Sequence, residues 1–270
     1  MTQPTLGRQV AALEAALDVV LFERIGRKLD LTPAGKDLLE HMRVMGDAAN
    51  RASLAASGRS ATIAGDVLVS VTDIIAQYVM PQIVADLRRI APQIRVRLIA
   101  ENTLSDLQRR EADIAVRHVA PTQPELISRK VRETHGRLYA SQAFIDRHGP
   151  FNRPEDIQEV AYICIGEEDE MIPFLQNWGL PIETQNFKVI GDSGTAGWEM
   201  ARQGLGLMPM MEDLVPMFPE MKLVLPQLDP VPIPYWLTTH RELHSSKRIR
   251  LVFDRIAEIL SQRDLPLPQR

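Results

Sequence analysis

Two histidines four residues apart, His240 and His244, have the spacing at which one face of a helix can bind a metal ion. Thr238 and Thr239 directly before them favour a β-strand that runs into a loop, because β-branched residues are typical of strands. In a strand and loop, a four-residue spacing does not bring both imidazoles to one side. We therefore expect neither a metal site nor a cofactor at these histidines.

The stretch GDSGTAG, residues 191–197, places a serine between glycines, as the nucleophile loops of serine proteases do. The single cysteine excludes the disulfides that such proteases carry, and the stretch has no lysine of the kind found in a phosphate-binding P-loop. Gly191 ends a predicted strand and Thr195 begins a predicted helix. Ser193 and the neighbouring N–H groups could therefore hold an anion instead.

The composition is that of a globular protein with a sizeable core. Of the 270 residues, 45% are hydrophobic and 24% are charged, and the net charge is −4. This net charge gives no overall attraction to nucleic acid. Cys164 stands between two isoleucines and is expected to be a core residue in a reducing compartment. We find no secretion signal and no apolar run long enough to cross a membrane, and we expect a soluble, cytoplasmic protein without membrane contacts.

The acidic run at residues 167–170 is expected to be a solvated loop. The alternative is the first turn of a helix, where negative charge interacts favourably with the helix dipole. The sequence contains no paired carboxylates, no Ser-His-Asp order and no cysteine cluster that would indicate an enzyme. We therefore assign no catalytic residues.

The amino-terminal segment, residues 2–17, predicts an amphipathic helix. Leu6, Val10, Leu13 and Leu17 recur at spacings of four, three and four residues and form one apolar stripe. Polar side chains lie elsewhere on this helix and can reach phosphates and base edges of DNA. These candidate DNA-binding residues are Thr2, Gln3, Thr5, Arg8 and Gln9.

A predicted β-hairpin follows, with Gly26, Arg27 and Lys28 at its tip, and the two basic residues there are further DNA-binding candidates. The next helix begins at Thr32-Pro33, an N-cap followed by a proline, and extends to about residue 57. Apolar residues recur along it at spacings of 4-3-4-3-4, which favours pairing with a second copy of the chain over packing on its own domain. They are Leu38, Met42, Met45, Ala49, Ala52 and Ala56.

From residue 65 onwards, predicted strands alternate with predicted helices, which is typical of α/β folds with parallel sheets. The predicted strands are 67–71, 94–100, 113–117, 138–140, 161–165, 187–191, 205–209 and 235–240, and the predicted helices are 74–90, 104–110, 171–178, 194–203 and 245–262. The segment between residues 57 and 65 is polar and is expected to be a hinge. We infer two α/β lobes after it.

Ligands in open α/β sheets bind beyond the carboxyl ends of the strands, and in two-lobed proteins they bind between the lobes. The residues at these strand ends are therefore the candidate ligand-binding residues. They are Thr72, Asp73, Asn102, Thr103, Arg117, His118, Asp192 and Ser193. Arg117 could pair with an anionic ligand, and the hydroxyl of Thr103 could instead cap the helix that follows.

The stretch TQPTLGRQVAALEAALDVVLFERIGRKLDLTPAGKDLL resembles the recognition helix, wing and linker-helix start of the LysR-type transcriptional regulators. The family pattern is matched by Pro4, Arg8, Gln9, Val10, Leu13, Glu14, Leu21, Phe22, Arg24, Leu31, Thr32, Ala34 and Gly35. The run ARQGLGLMP and residues 235–258 also resemble family segments. The resemblance implies an α/β chain with a partial winged helix-turn-helix at 1–32, a linker and dimerisation helix at 33–58, and a two-lobed effector-binding domain of periplasmic-binding-protein type at 65–262.

Within that domain, we expect lobe I to contain residues 65–141 and 237–262 and lobe II to contain residues 142–236. The resemblance also points to small hydroxyl residues after the first two strands of lobe I, which are Thr72 and Thr103 here.

The sequence differs from the family pattern at two positions and at its amino end. Gly7 stands where the family usually has a serine, and Asp18 stands where a glycine usually ends the helix. The first helices of the family's DNA-binding domain do not precede residue 1. We expect this difference to expose the apolar stripe and to weaken promoter binding.

The resemblance implies a DNA-binding transcriptional regulator that responds to a small organic anion bound between the lobes and assembles as a homodimer or homotetramer. Two alternatives remain open. One is a regulator-like protein that binds ligand but not DNA, and the other is a solute-binding protein. The second alternative would have no use for residues 2–57.

Overall fold

The computed structural model describes residues 3–25, 28–39, 41–42, 45, 63–102 and 112–262. The chain divides into two compact units, Met1–Arg59 and Ser60–Arg270. Each unit is described by itself. The predicted helix 104–110, Thr103, and the linker beyond residue 45 lie outside the described residues.

The first unit consists of helix α1 (Gln3–Leu17), the antiparallel strands β1 (Phe22–Ile25) and β2 (Lys28–Leu31), and helix α2, described as residues 33–39. Both the predicted helix and the predicted hairpin are confirmed, and Ile25 pairs with Lys28. The Glu14 carboxylate accepts hydrogen bonds from the backbone N–H groups of Leu21 (2.7 Å) and Phe22 (3.1 Å), which ties α1 to the hairpin.

Thr32 caps α2, as the sequence predicts, because its hydroxyl accepts a hydrogen bond from Gly35 N at 3.0 Å. The same hydroxyl donates to the carbonyl of Val20 at 2.7 Å. A Cβ added at Gly35 would lie 3.0 Å from the carbonyl carbon of Leu21 and still closer to its oxygen. The helix can approach the buried Leu21 this closely only because residue 35 has no side chain.

Asp18 ends α1 with a φ of +51°, in the left-handed region that glycine adopts without steric cost. The position therefore has the conformation that a glycine would favour, and aspartate tolerates it better than most residues do.

The second unit is built on a mixed sheet of seven strands among the described residues, in the order β10-β6-β11-β5-β3-β4, with β9 also paired to β6. A separate parallel pair joins β7 and β8. The strands are β3 (Gly65–Val71), β4 (Ile94–Ala100), β5 (Ile114–Arg117), β6 (Leu126–Ser141), β7 (Tyr162–Ile165), β8 (Phe187–Gly191), β9 (Met208–Met211), β10 (Met221–Leu223) and β11 (Val231–His240).

Two long antiparallel strands, β6 and β11, connect the two halves of this unit. At one end β11 pairs antiparallel with β5. Strand β5 pairs in parallel with β3, and β3 pairs in parallel with β4. At the other end β6 pairs with β9 and β10. The register between β6 and β11 shifts at Tyr235/Trp236, where a bulge interrupts the ladder. The sequence predicts a parallel sheet and only residues 138–140 of β6. The parallel arrangement is present in β3, β4 and β5, whereas β6 is longer than predicted and pairs antiparallel with β11.

Among the described residues of the second unit, six helices accompany the strands: α3 (Asp73–Tyr78), α4 (Met80–Ile90), α5 (Gln142–His148), α6 (Glu168–Asn177), α7 (Gly194–Arg202) and α8 (Lys247–Leu260). The prediction of a single helix at 74–90 is wrong, because two helices occupy this stretch. Val79 separates α3 from α4, because Pro81 has no N–H to continue the hydrogen-bond ladder.

The half of the unit around β7 has a core of its own, in which Phe144, Tyr162, Leu175, Leu207 and other apolar side chains are almost fully buried. Cys164 belongs to this core and is fully buried, as the sequence predicts. Burial, and then the carboxylates of Glu168 and Glu167, raise the pKa of its thiol to about 11. The thiol is therefore protonated at neutral pH and is not a nucleophile.

The acidic run does not form the expected loop. Glu168, Asp169 and Glu170 occupy the first turn of α6. The partial positive charge at the helix N-terminus accounts for this preference, so the alternative interpretation is the correct one.

Candidate functional site

The amino-terminal helix exposes part of its polar surface. Gly7, Arg8 and Gln9 are exposed on α1. The other DNA-binding candidates can be placed only in part. Gln3 and Thr5 lie on the backbone of α1 and Lys28 begins β2, while Thr2 and Arg27 lie outside the described residues.

Apolar side chains are also exposed in this unit. Leu13 and Leu17 of the α1 stripe are 38% and 46% exposed, and Met42 and Met45 of the following helix are 47% and 64% exposed. These residues are available for contact with another protein surface.

A cavity of about 410 Å³ opens in the second unit, where the ends of β3, β4 and β5 face α6, α7 and β9. Its wall is mainly apolar. Four predicted ligand-binding residues line it: Thr72, Asp73, Asn102 and His118. The other lining residues are Ile74, Gly136, Ile165, Phe174, Trp178, Gly194, Met208, Pro209, Met210, Met211, Val231, Pro232, Ile233 and Pro234.

Asp73 connects the two halves of the unit across this cavity. One carboxylate oxygen accepts a hydrogen bond from Ile74 N (2.7 Å), at the start of α3. The other accepts from the hydroxyl of Ser193 (2.8 Å) and from the backbone N–H (3.1 Å) and hydroxyl (3.2 Å) of Thr195, at the start of α7. Burial acts to raise the pKa of Asp73, but these hydrogen bonds together lower it below its ordinary value.

Asn102 makes a second connection. Its side-chain oxygen accepts a hydrogen bond from Asp73 N (3.2 Å), and its amide nitrogen donates to the backbone carbonyl of Asp192 (2.6 Å). Asp192 and Ser193 therefore lie beside the cavity and are bonded to two residues of its wall. Ser193 also caps α7 by accepting a hydrogen bond from Ala196 N at 3.2 Å.

Thr72 and His118 are the two other polar residues among the predicted residues of the wall. The hydroxyl of Thr72 is buried and has no hydrogen-bond partner among the described residues. His118 Nδ1 lies 3.1 Å from the carbonyl of Pro234. Since a carbonyl only accepts, Nδ1 carries the proton, and Nε2 of the neutral ring is an acceptor. Burial first, and then the charge of Arg117, lower the pKa of His118, which favours that neutral ring.

Arg117 is not part of the cavity wall. It is 2% exposed, and its guanidinium donates to the hydroxyl of Ser70 (2.7 Å) and to the carbonyl of Val116 (3.0 Å). The expected pairing of Arg117 with an anionic ligand therefore has no geometric support in this arrangement.

Sequence reasoning missed the largest part of the wall, which comes from β9, β11 and α6. The strand-end rule finds residues that follow parallel strands, whereas Met208–Met211 and Val231–Pro234 lie within antiparallel strands. Phe174 and Trp178 are spaced four residues apart at the end of α6, and this spacing was the available signal for a shared apolar face.

The two histidines considered for metal binding are not arranged on a helix face. His240 ends β11 and is 6% exposed, while His244 lies in the short turn that follows. In the part of the chain that the structure describes, no group of three or more His, Cys, Asp or Glu residues could hold a metal ion.

Comparison with protein families gives two matches along the chain. Residues 1–36 match the bacterial regulatory helix-turn-helix protein, lysR family, and residues 60–261 match the LysR substrate binding domain. The second match alone covers more than half of the chain. The chain belongs to the LysR family.

Two curated relatives illustrate the range of similarity within the LysR family. A probable HTH-type transcriptional regulator, LtrA, of Klebsiella pneumoniae is 24% identical over 274 residues, covering 96% of this chain and 86% of that protein. A probable hydrogen peroxide-inducible genes activator of Mycobacterium xenopi is 34% identical over 103 residues, covering 38% of this chain and 54% of that protein.

Solved structures of LysR-type regulators share the fold. The virulence activator AphB of Vibrio cholerae has a TM-score of 0.67 at 19% identity, covering 96% of this chain and 90% of AphB. CbnR in complex with its target DNA has a TM-score of 0.60 at 18% identity, covering 96% of this chain and 91% of CbnR. The predicted fold class is confirmed: this is an α/β LysR-type chain with a helix-turn-helix segment and a two-lobed effector-binding domain.

These findings identify a LysR-type DNA-binding transcriptional regulator with an effector-binding domain. Among the described residues, no helix combines the length and the apolar character needed to span a membrane.

Proposed function

We propose that this LysR-type regulator binds promoter DNA through α1 and the β1–β2 hairpin and responds to a small organic effector in the cavity around Thr72. The observation that carries the proposal is the cavity itself, which lies where α3 and α7 meet and has the size of a small-molecule site. A solute-binding protein would have the cavity without the helix-turn-helix match at residues 1–36.

The proposed DNA contacts are those of the sequence analysis. Thr2, Gln3, Thr5, Arg8 and Gln9 act from α1, and Arg27 and Lys28 act from the hairpin. The exposure of Arg8 and Gln9 supports this assignment, since basic and amide side chains bind phosphates and base edges. DNA binding implies a cytoplasmic location.

The proposed mechanism couples lobe closure to DNA binding. Lobe I comprises residues 65–141 and 237–262 and lobe II comprises residues 142–236, joined through β6 and β11. An effector shifts their relative orientation only if it binds one arrangement more tightly than the other. The linker helix at 33–58 would carry that change to a paired DNA-binding unit in a homodimer or homotetramer.

Fewer observations support a negative charge on the effector than support the presence of an effector in the cavity. Of the groups expected to meet an anion, Arg117 faces Ser70 and Val116, and the N-terminus of α7 is already bonded to Asp73. The proposal here is therefore a small organic effector of largely apolar surface.

Selection of bound fragments from sheared genomic DNA of the source organism tests the proposal. The purified full chain is expected to enrich a small set of fragments by more than about tenfold over bulk genomic DNA, since specific sites bind far more tightly than random ones. Arg8→Ala is expected to reduce this enrichment.

Arg250→Ala is the matched control, because Arg250 is an exposed arginine of α8 in the effector-binding domain. It should leave the enrichment unchanged. If the wild-type chain enriches no fragment over bulk DNA while still binding small molecules, the chain is a ligand-binding protein that does not act on promoters.

A further inference from the structure

The N-terminus of α7 already holds an anion, and that anion belongs to the protein. Both oxygens of the Asp73 carboxylate are used, one at the start of α3 and the other at the start of α7. Three groups of α7 and its cap converge on one oxygen: the Ser193 hydroxyl, the Thr195 hydroxyl and the Thr195 N–H. A ligand carboxylate at this helix end would have to displace Asp73.

The neighbouring backbone is shaped for this contact. A Cβ added at Gly194 would lie 3.2 Å from an Asp73 oxygen and 3.1 Å from the Ile74 side chain. Without a side chain at position 194, α7 can approach Asp73 closely. The bond from Asn102 to the Asp192 carbonyl holds the same two segments together at a second point.

The charge of the cavity wall follows from its composition. Among the described residues that line it, Asp73 is the single carboxylate and none is a lysine or arginine. The remaining polar groups are the Thr72 hydroxyl, the Asn102 side chain, the His118 ring and backbone atoms. An anionic ligand would lose its hydration in an apolar space beside a fixed negative charge, and no cation among the described wall residues would compensate that cost.

We infer that the effector of this cavity carries no net negative charge, and that Asp73 is the residue that determines this specificity. The inference rests on the proposed function, which places the effector in this cavity. The matching ligand is an uncharged molecule with an apolar body that packs against Phe174, Trp178 and Met208. One end of it donates a hydrogen bond to His118 Nε2.

Thermal unfolding with benzoate and with benzamide tests the inference, because the two probes share size and ring and differ in charge. Ionic strength is matched with chloride, and each Tm is compared with that of the same variant without probe. Benzoate is expected to leave the wild-type Tm unchanged and to raise the Tm of Asp73→Ala by about 2 °C or more, since a ligand that binds only the folded state stabilises it.

Benzamide should raise the Tm of Asp73→Ala no more than it raises the Tm of the wild type. The double variant Asp73→Ala/Ser193→Ala should lose the benzoate gain, because it also lacks a donor at the start of α7. Asp254→Ala removes an exposed carboxylate of α8 and should behave as the wild type. If Asp73→Ala does not fold, Asp73→Ser keeps a hydroxyl that can cap α3 and takes its place.

Benzoate stabilisation of the wild type equal to that of Asp73→Ala would overturn the inference, because the native carboxylate would then not exclude anions. Stabilisation of neither protein would overturn it as well, because α7 would have no anion site for Asp73 to occupy. Neither result affects the promoter-fragment selection, so failure of this inference is distinct from failure of the proposed function.

Discussion

At the scale of single residues, Asp73 shows how a side chain can satisfy a helix end that would otherwise bind a ligand. Four residues selected by the strand-end rule, Thr72, Asp73, Asn102 and His118, line one cavity. It does not tell whether a polar residue faces the ligand or another part of the protein. Asp73 faces α7 and Arg117 faces Ser70, and such pairings depend on long-range packing that sequence spacing does not encode.

The Asp73 contacts predict a pH dependence of stability. A carboxyl group whose folded-state pKa is lowered stabilises the fold above its ordinary pKa of about 4, and this stabilisation is lost as the pH falls through the folded-state value. Wild type should therefore exceed Asp73→Asn in Tm by a constant amount above about pH 5. The difference should shrink below about pH 4, as measured by calorimetry from about pH 6 to pH 3.

Ser193→Ala serves as the control for this pH dependence. It removes one donor to Asp73 but leaves the N–H groups of Ile74 and Thr195, so part of the pH-dependent difference should persist. A difference between wild type and Asp73→Asn that stays constant down to pH 3 would contradict the assignment.

At the scale of elements, the close contact between Gly35 and Leu21 predicts a strict requirement for glycine. Gly35→Ala should destabilise the first unit by about 1–3 kcal/mol, because the added methyl group cannot be accommodated beside the Leu21 carbonyl. Amide hydrogen exchange of peptides within residues 3–39 measures this as faster exchange across α1 and the hairpin.

Gly7→Ala is the matched control for the Gly35 variant. A Cβ at Gly7 meets nothing within 4 Å, and alanine is a better helix former. Exchange in α1 should therefore become slower by an amount that corresponds to about 0.5–1 kcal/mol. Equal effects of the two substitutions would show that the Leu21 contact does not limit residue 35.

The sequence predicted elements with strong local signals and missed those fixed by distant partners. Thr32-Pro33 marks the start of α2, and the 3.6-residue period marks α8, since both signals are local. Strand β6 contains the mostly charged stretch from Arg129 to Glu133, and this stretch is a strand because β11 pairs with β6 over residues 126–136. Pro81 was a local signal for the break between α3 and α4, and the apolar period on both sides of it masked that signal.

At the scale of the whole molecule, the exposed methionines predict self-association. The proposed dimer seam is the apolar stripe of the linker helix that includes Met42 and Met45. Met42→Glu combined with Met45→Glu should place charge in this seam and weaken dimer formation by more than about tenfold. Sedimentation velocity over a concentration series measures the change.

His41 is exposed on the same helix and lies outside the seam spacing. His41→Glu should therefore leave the association constant unchanged. A wild-type chain that sediments as a monomer at all concentrations would rule out the seam. So would a dimer that tolerates both glutamates.

The pairing of β6 with β11 has a consequence for how such a chain can be rearranged. Gly136 and Val231 face each other as partners in the ladder, so the stretch between them begins and ends at adjacent points of the sheet. A segment with neighbouring ends can be exchanged as one cassette, because a short turn suffices to close the gap. Recombination at these two codons would give a chimaera that keeps its own β3, β4 and β5 and acquires α6, α7 and β9 of another regulator, with the part of the cavity wall that they carry.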